Sequence, residues 1–359
     1  MHAIPDGPSV SGSYARALRG FLGSCGLPGA QDTATGMPGV RVAGSALGGA
    51  LVDGGRALGD PALGIRFGTR VGGAGFGLLG VATATAPRLA DALRHLQRFE
   101  SITSTLGHVS VHRAGGAVTL AWQPAQAVAP AVVEGILAGW VSFGRYLLGT
   151  QAEVRGLAFA HARAAALSEY EQALDCPVSF GAAAYSLTVA ADLLDARPRF
   201  ADARINAAIG GWLDRCTVAL AAPGQLQATR RVAQLLAGLP LAEVDERRVA
   251  AALGLGPRTL QRRLAAEGTG FRALLDAARA QHAVVTLLHD TPRLAQLGAD
   301  VGFGEQSSLC RAFRRWTGYA PLPLKARLAP FFQDLRPPAD APAAMGDPFL
   351  QPSEEIHAP

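Results

Sequence analysis

Apolar residues at helical spacing mark a helix–turn–helix pattern at residues 247–264. Gly254 is suited to end the first helix, because glycine adopts the left-handed cap conformation without a Cβ clash. Pro257 is suited to the first position of the second helix, whose Leu260 and Leu264 lie four apart and face inward. The inward residues of the first helix are Val249, Ala250 and Leu253.

The opposite face of the second helix carries Arg258, Gln261 and Arg262. Arginine pairs with guanine edges and glutamine with adenine edges in the major groove of DNA. This face is therefore a candidate for reading bases. The alternative is that these are solvated residues of an ordinary surface helix.

The pattern returns about forty-five residues later. Residues 294–301 predict a short helix, residues 302–304 a turn, and residues 305–316 a second candidate recognition helix. Its polar residues are Gln306, Ser307, Arg311, Arg314 and Arg315, and its inward residues are Leu309, Ala312 and Phe313. Two such units in tandem indicate DNA binding more strongly than one.

The N-terminal half predicts a mixture of helices and strands. Helices are expected at 14–22, 44–58, 87–103, 132–148, 167–174 and 206–221, and strands at 76–83, 109–111, 118–122, 154–160, 177–180 and 186–189. Gly115 and Gly116 predict a hairpin between two of these strands. Trp140 is expected on the inward face of its helix. The C-terminal part predicts helices alone, including 228–236 and 271–288.

The fold prediction is a mixed α/β N-terminal domain for effector binding or dimerisation, followed by an all-α domain with tandem helix–turn–helix motifs. Residues 1–12, rich in Gly, Pro and Ser, predict a flexible leader. Residues 13–225 form the first predicted domain, with a linker at 223–225, and residues 226–330 form the second. The proline-rich, acidic residues 331–359 predict a disordered tail.

Basic residues are concentrated in the second predicted domain. Residues 228–330 hold fifteen Lys and Arg against eight Asp and Glu, a net charge of +7, whereas residues 1–227 have a net charge of +2. The excess coincides with the two motifs, as expected for a protein that contacts phosphates. A solvated basic surface would give the same count.

Other kinds of site find little support in the sequence. The four cysteines are far apart, and His95, His108, His112 and His161 have no ligand spacing, so we expect no metal. No Gly-x-Ser-x-Gly run occurs, and we expect no catalytic residues and no cofactor. The sequence shows no signal peptide and no run near 18 apolar residues, which favours the cytoplasm and no membrane contact.

Residues 228–328 resemble the DNA-binding domain of the AraC/XylS family of bacterial transcription regulators. The resemblance lies in the run Pro-Arg-Thr-Leu-Gln-Arg-Arg-Leu at 257–264, Val-Gly-Phe at 301–303, Arg-Ala-Phe-Arg-Arg-Trp-Thr-Gly at 311–318, and Pro321. It implies that the helix at 271–288 holds two recognition helices in successive major grooves. The expected DNA contacts are Arg258, Thr259, Gln261, Arg262, Gln306, Ser307, Arg311 and Arg315. Gly298, Gly304 and Leu309 replace the family's usual Ala, Ser and Phe, which predicts thinner packing in the second unit.

The N-terminal half resembles the arabinose-binding-like domain found in one branch of the same family. The matching segments are 59–66, 76–80, 89–93 and 176–182, which are mostly apolar or glycine and therefore report fold more than chemistry. Residues that would contact an effector are not identified by this resemblance.

The leading hypothesis is a cytoplasmic, nucleoid-associated regulator that binds specific double-stranded DNA. We expect an activator, and thus RNA polymerase as a partner, controlled by an unknown small molecule and acting as a homodimer. Two alternatives stay open. One is a constitutive DNA-binding regulator whose N-terminal domain only dimerises, and the other is an enzyme fused to a DNA-binding module.

Overall fold

The computed structural model describes residues 7–27, 41–73, 75–149, 152–218, 227–289 and 292–333. The linker expected at 223–225, the first half of the expected leader and most of the expected tail lie outside these residues. The N-terminal half is mixed α/β and the C-terminal part is helical, so the predicted fold class is confirmed.

A five-stranded sheet forms the centre of the N-terminal half. Its order is β3-β4-β7-β5-β6, and all neighbours are antiparallel except β5 and β6. The predicted hairpin is confirmed, since Gly115 and Gly116 both have positive φ between β3 and β4. The strands are β3 (Gly107–Ala114), β4 (Ala117–Pro124), β5 (Val154–Phe159), β6 (Val178–Phe180) and β7 (Tyr185–Ala190).

Within the described residues of this half, seven helices precede, cover or connect these strands. They are α1 (Gly12–Ser24), α2 (Gly44–Leu58), α3 (Leu63–Arg70), α4 (Gly77–Ala84), α5 (Leu89–Thr103), α6 (Pro130–Leu148) and α7 (Leu167–Leu174). A 3-10 helix, Ala191–Asp195, follows β7. The helix α3 was not predicted from the sequence.

The strand predicted at 76–83 is wrong, because this segment is the helix α4. Every residue of α4 from Leu78 to Ala84 is buried. A helix that is apolar on all sides has no amphipathic period, and a run of eight apolar residues cannot be distinguished from a buried strand by pattern alone.

The predicted leader is too long at its C-terminal end. Ser9–Ser11 forms β1, which pairs antiparallel with β2 (Arg41–Ala43), and Val10 is fully buried. The predicted tail also begins too early, because the last helix extends to Gln333. The first error arises because β1 is formed by pairing with a distant strand, which a local pattern does not show.

Eight helices form the rest of the described chain. They are α8 (Ala203–Val218), α9 (Gln227–Gly238), α10 (Glu246–Ala252), α11 (Pro257–Ala266), α12 (Phe271–His289), α13 (Leu294–Asp300), α14 (Gln306–Thr317) and α15 (Pro321–Gln333). The first helix–turn–helix unit has its own core, built from α9, α10, α11 and the start of α12. The second unit shares a core with the N-terminal half. This shared core joins α4 and α8 to α12, α13, α14 and α15.

The helix α6 is long and apolar enough to cross a membrane by length and composition alone, with a mean hydropathy of 1.3. An apolar run of this length was not expected from the sequence. In the structure half of it is buried, and Leu137 and Val141 belong to the N-terminal core. Core packing accounts for its apolar composition.

Candidate nucleic-acid interface and ligand cavity

The first helix–turn–helix unit has the predicted local structure. Asp245 begins α10 by accepting a hydrogen bond from the backbone of Arg248 at 2.7 Å. Gly254 has a φ of 68° in the turn, and Pro257 is the first residue of α11. The predicted inward residues are buried, namely Val249, Ala250, Leu253, Leu260 and Leu264.

The candidate base-reading residues of α11 lie on its solvent side. Arg258, Gln261 and Arg262 are exposed, and Thr259 is half-buried. Gln261 Nε2 donates a hydrogen bond to Glu246 Oε2 at 3.1 Å, which joins α11 to α10 across the unit. The surface of α11 therefore offers two guanidinium groups and one amide side by side.

The second unit repeats this arrangement. Leu309, Ala312 and Phe313 are buried on the inner side of α14, while Gln306 and Ser307 are exposed near its N-terminus. Glu305 takes the N-cap position without a side-chain capping hydrogen bond. Ser307 Oγ donates to Glu305 Oε2 at 3.0 Å.

Two further candidates, Arg311 and Arg315, are also exposed on α14. Arg311 donates to Ser308 Oγ at 2.9 Å, which leaves much of its guanidinium facing solvent. Arg315 forms an ion pair with Asp276 of α12 at 2.7 Å, and Trp316 Nε1 donates to the other oxygen of the same carboxylate at 3.0 Å. Asp276 thus anchors α14 to α12, a role that cannot be predicted from one acidic residue in a long helix.

Arg279 of α12 connects the two units. Its guanidinium donates to the carbonyl of Leu241 at 3.3 Å and stacks over the Phe303 ring, with 5.7 Å from Cζ to the ring centroid. Leu241 lies between α9 and α10, and Phe303 lies in the turn of the second unit. Burial lowers the pKa of Arg279, and the nearby Asp276 opposes that shift.

Glu267, at the end of α11, fixes the start of α9. Its carboxylate accepts hydrogen bonds from the backbones of Ala228 and Thr229 at 2.9 and 2.7 Å and from the Thr229 hydroxyl at 2.6 Å. Burial would raise the pKa of Glu267, but these hydrogen bonds and the charge of Arg263 hold it below its usual value. The recognition helix α11 is thereby tied to both its neighbours.

A cavity of about 140 Å³ lies in the N-terminal half, between α4, α5 and α6 and the central sheet. Most of its lining is aliphatic or aromatic, including Leu96, Trp122 and Leu187. Trp140 lies on the inward face of its helix, as predicted; it is half-buried, packs against the N-terminal core and lines this cavity.

Glu100 of α5 is a carboxylate in this largely apolar lining. Its Oε2 accepts a hydrogen bond from the backbone of Val109 at 2.7 Å. Burial raises the pKa of Glu100 to about 7, although the Val109 hydrogen bond acts in the opposite direction. The sequence analysis missed both the cavity and Glu100, because the walls come from segments far apart in the chain.

The histidines take part in separate local contacts. His95 interacts with Asn206 Oδ1 at 3.2 Å, and His161 with Glu134 Oε1 at 3.4 Å. In the part of the chain that the structure describes, no three His, Cys, Asp or Glu residues are placed to hold a metal ion.

Two family models match the chain, and together they cover both halves. The arabinose-binding domain of AraC transcription regulators matches residues 22–198, and a helix-turn-helix domain matches residues 249–327. The chain belongs to the AraC family of transcription regulators. The family resemblance drawn from the sequence is therefore confirmed.

Curated relatives of this AraC-family protein are transcription regulators. The HTH-type transcriptional regulator VirS of Mycobacterium tuberculosis is 32% identical over 183 residues, which are 51% of this chain and 53% of VirS. The chain thus matches about half the length of that relative. The ornithine utilization regulator of Pseudomonas aeruginosa is 27% identical over 268 residues, 73% of this chain and 78% of that protein.

Among solved structures, the transcriptional regulator CdpR from Pseudomonas aeruginosa aligns with a TM-score of 0.45 and 24% identity. The alignment covers 87% of this chain and 97% of CdpR.

Proposed function

We propose that this AraC-family protein is a transcription regulator that binds specific sequences in double-stranded DNA. The observation that carries the proposal is the pair of helix–turn–helix units, each of which buries its apolar side and exposes arginine and glutamine on its second helix. Bidentate arginine and glutamine contacts are the commonest means of reading guanine and adenine in the major groove.

The proposed contacts to DNA come from both units. They are Arg258, Thr259, Gln261 and Arg262 of α11, and Gln306, Ser307, Arg311 and Arg315 of α14. The net charge of +7 between residues 228 and 330 supports contact with phosphates at the same surface. Arg315 can contact DNA only if it exchanges its ion pair with Asp276 for a phosphate or a base. Its proposed contact therefore depends on a rearrangement of its side chain.

We propose two domains close to those expected from the sequence, 13–225 and 226–330, with the first extended to include β1 and the second extended to Gln333. The helix α8 lies before this boundary but packs against α12, α14 and α15 of the second domain. The chain would therefore work as two domains joined by a common core.

Control by a small molecule is the second part of the proposal. The cavity supports it, because its walls α4 and α5 also contact α8 on their outer side. A ligand that prefers one packing of these helices would shift the population of arrangements in the second unit. Activation through RNA polymerase, a homodimer and a place on the cytoplasmic nucleoid follow from the family resemblance.

The alternative function is a constitutive regulator whose N-terminal half only dimerises. The cavity argues against it, since a purely structural domain gains stability by filling such a volume. We propose no catalytic role for the protein, because its curated relatives are regulators.

Selection of binding sites from a pool of random duplexes tests the proposed function. The full chain should enrich a recurrent sequence with two groups of fixed bases about one helical turn, roughly 10 base pairs, apart. The variant Arg262→Ala should lose preference within one group only. Arg113→Ala, which removes an exposed charge from β3, is the matched control and should select the same sequence as the wild type. Enrichment of no sequence by a folded protein would contradict the proposal.

A further inference from the structure

The chemistry of the N-terminal cavity restricts what it can hold. Its volume, about 140 Å³, is close to that of an engineered apolar cavity of about 150 Å³ that accepts benzene. The aromatic walls include Phe76, Trp122 and Trp140. The space thus suits one aromatic ring, or an aliphatic group of similar bulk, and is too small for an extended chain.

The polar side chains of the lining are mostly engaged within the fold. Thr83 Oγ1 donates to the carbonyls of Leu79 and Gly80, both at 2.9 Å. Thr103 Oγ1 donates to the carbonyl of Phe76 at 3.2 Å, and Arg145 donates to the carbonyls of Leu174 and Asp175. Ser104 Oγ accepts a hydrogen bond from the backbone of Leu106 at 3.2 Å. The three hydroxyls thus already have partners, and the Arg145 guanidinium is directed to backbone carbonyls at the end of α7.

Glu100 differs from them. Its Oε2 accepts from Val109, and within the described residues its Oε1 has no hydrogen-bond partner. A carboxyl oxygen beside an apolar volume favours a ligand that donates a hydrogen bond. A ligand carboxylate would meet a like charge in surroundings of low dielectric, where repulsion is strong.

We propose that this cavity binds a compact, largely apolar molecule that carries a hydroxyl or amine hydrogen-bond donor for Glu100 and no carboxylate. The inference rests on the proposed function in one respect only, namely that this ligand is the effector. Ligand binding is measured on the protein without DNA. A protein that fails to bind the ligand is therefore distinguishable from one that fails to recognise DNA.

The walls of the cavity provide a direct readout. Trp122 and Trp140 line it, so a bound ring changes tryptophan fluorescence as well as the melting temperature. Benzyl alcohol, benzylamine and benzoate have similar size and differ in charge and donor capacity, which makes them a matched set of probes.

The experiment titrates the three probes into the full chain at about pH 8, above the pKa of Glu100. Benzyl alcohol and benzylamine should bind, and benzoate should bind at least tenfold more weakly, the equivalent of about 1.4 kcal/mol. Glu100→Gln keeps a hydrogen-bond acceptor for the backbone of Val109. In this variant benzoate should bind less than threefold more weakly than benzyl alcohol. Glu171→Gln removes an exposed carboxylate from α7 and should leave the difference between the probes as it is in the wild type.

A second variant tests the location. Gly144 lines the cavity, and a Cβ added there would have no heavy atom within 4 Å. Gly144→Leu therefore has open space at its Cβ and should weaken all binding at least tenfold, with circular dichroism as the check that the protein stays folded. The proposal is overturned if benzoate binds as well as benzyl alcohol, if neither benzyl alcohol nor benzylamine binds the wild type, or if Gly144→Leu leaves their affinities unchanged.

Discussion

Two glycines of the second helix–turn–helix unit, Gly298 and Gly302, differ in whether the structure has room for a Cβ atom. Gly298 lies inside α13, where a Cβ would make ordinary contacts at 3.7 and 3.8 Å. Gly302 follows the helix with a φ of 82°, and a Cβ there would lie 2.5 Å from the Arg279 guanidinium and 3.1 Å from the carbonyl of Leu241. The family's usual alanine would therefore fit at 298, whereas 302 requires glycine.

The two alanine substitutions should change stability in opposite directions. Gly298→Ala should raise the free energy of unfolding by up to about 1 kcal/mol, because alanine is the better helix former. Gly302→Ala should lower it by roughly 1–3 kcal/mol, through strain at positive φ and displacement of Arg279. Urea denaturation of the full chain measures both, and a destabilising Gly298→Ala would show that the packing around α13 is tighter than described.

Glu100 predicts a pH dependence of stability. Its pKa is about 7 in the folded chain and 4.5 for an ordinary glutamate, so the folded state binds the proton more tightly. The resulting stabilisation is fully present below about pH 4.5 and is lost as the pH rises through 7. In thermal melts between about pH 5.5 and 8, Glu100→Gln should flatten the decline seen in the wild type. If the control Glu171→Gln flattens the decline in melting temperature equally, the effect comes from the net charge of the protein and not from Glu100.

At the scale of the elements, the two recognition helices are supported differently. The helix α11 begins with proline at its first position, joins α10 through Gln261 and Glu246, and carries at its end the carboxylate that caps α9. The N-cap residue of α14, Glu305, makes no side-chain capping hydrogen bond, and neither does Gly256 of α11. The helix α14 is held by Asp276 and by four residues buried in the shared core, namely Leu309, Ala312, Phe313 and Trp316. The first recognition helix is thus held mainly by polar contacts within its own unit, and the second mainly by the core.

The sequence match and the partners of the arginines predict a ranking of their substitutions. Arg262→Ala should weaken binding to a selected duplex by roughly 1–3 kcal/mol, as expected for one lost bidentate base contact. Arg311→Ala should cost less, because the second unit departs from the family's motif at Gly298, Gly304 and Leu309 and because the Arg311 guanidinium is hydrogen-bonded to Ser308 Oγ. Salt-matched titrations decide the order, and an equal or larger loss for Arg311→Ala would reverse it.

The success of sequence analysis also differed between elements. Amphipathic helices such as α2 and α11, and the Gly115–Gly116 hairpin, were predictable because their signals are local. The helix α4 was mistaken for a strand because it is buried on every side. Asp276, Arg279 and Glu100 were missed because each acts through partners on other segments, and no local pattern contains such contacts.

At the scale of the whole molecule, α8 joins the N-terminal half to the second unit. Its Ile205, Ile209 and Trp212 are buried in the shared core, and Trp212 Nε1 donates to the carbonyl of Ala277 at 3.3 Å. Asn206 Nδ2 donates to the carbonyl of Ala82 at 2.7 Å on the other side. One helix thus contacts both a wall of the cavity and the helices that carry α14.

Removing the Trp212 side chain should destabilise the shared core on both sides of α8. Trp212→Ala should lower the free energy of unfolding by roughly 3–5 kcal/mol if the core does not collapse into the cavity that is left. Amide hydrogen exchange should speed up in α4, α12 and α14, while α11, whose surroundings form a separate core, should change little. Faster exchange confined to α8, or equal acceleration in α11, would contradict a core shared in this way.

The central claim is that this AraC-family protein reads DNA sequence through its exposed recognition helices. Titration of a selected duplex and a scrambled duplex of equal composition, at one salt concentration, tests it most directly. Arg262→Ala should reduce the preference for the selected duplex by roughly 5- to 150-fold, with much less change on the scrambled one. Arg113→Ala should leave the preference unchanged. If Arg262→Ala instead weakens both duplexes equally, α11 contacts phosphates alone and does not read bases.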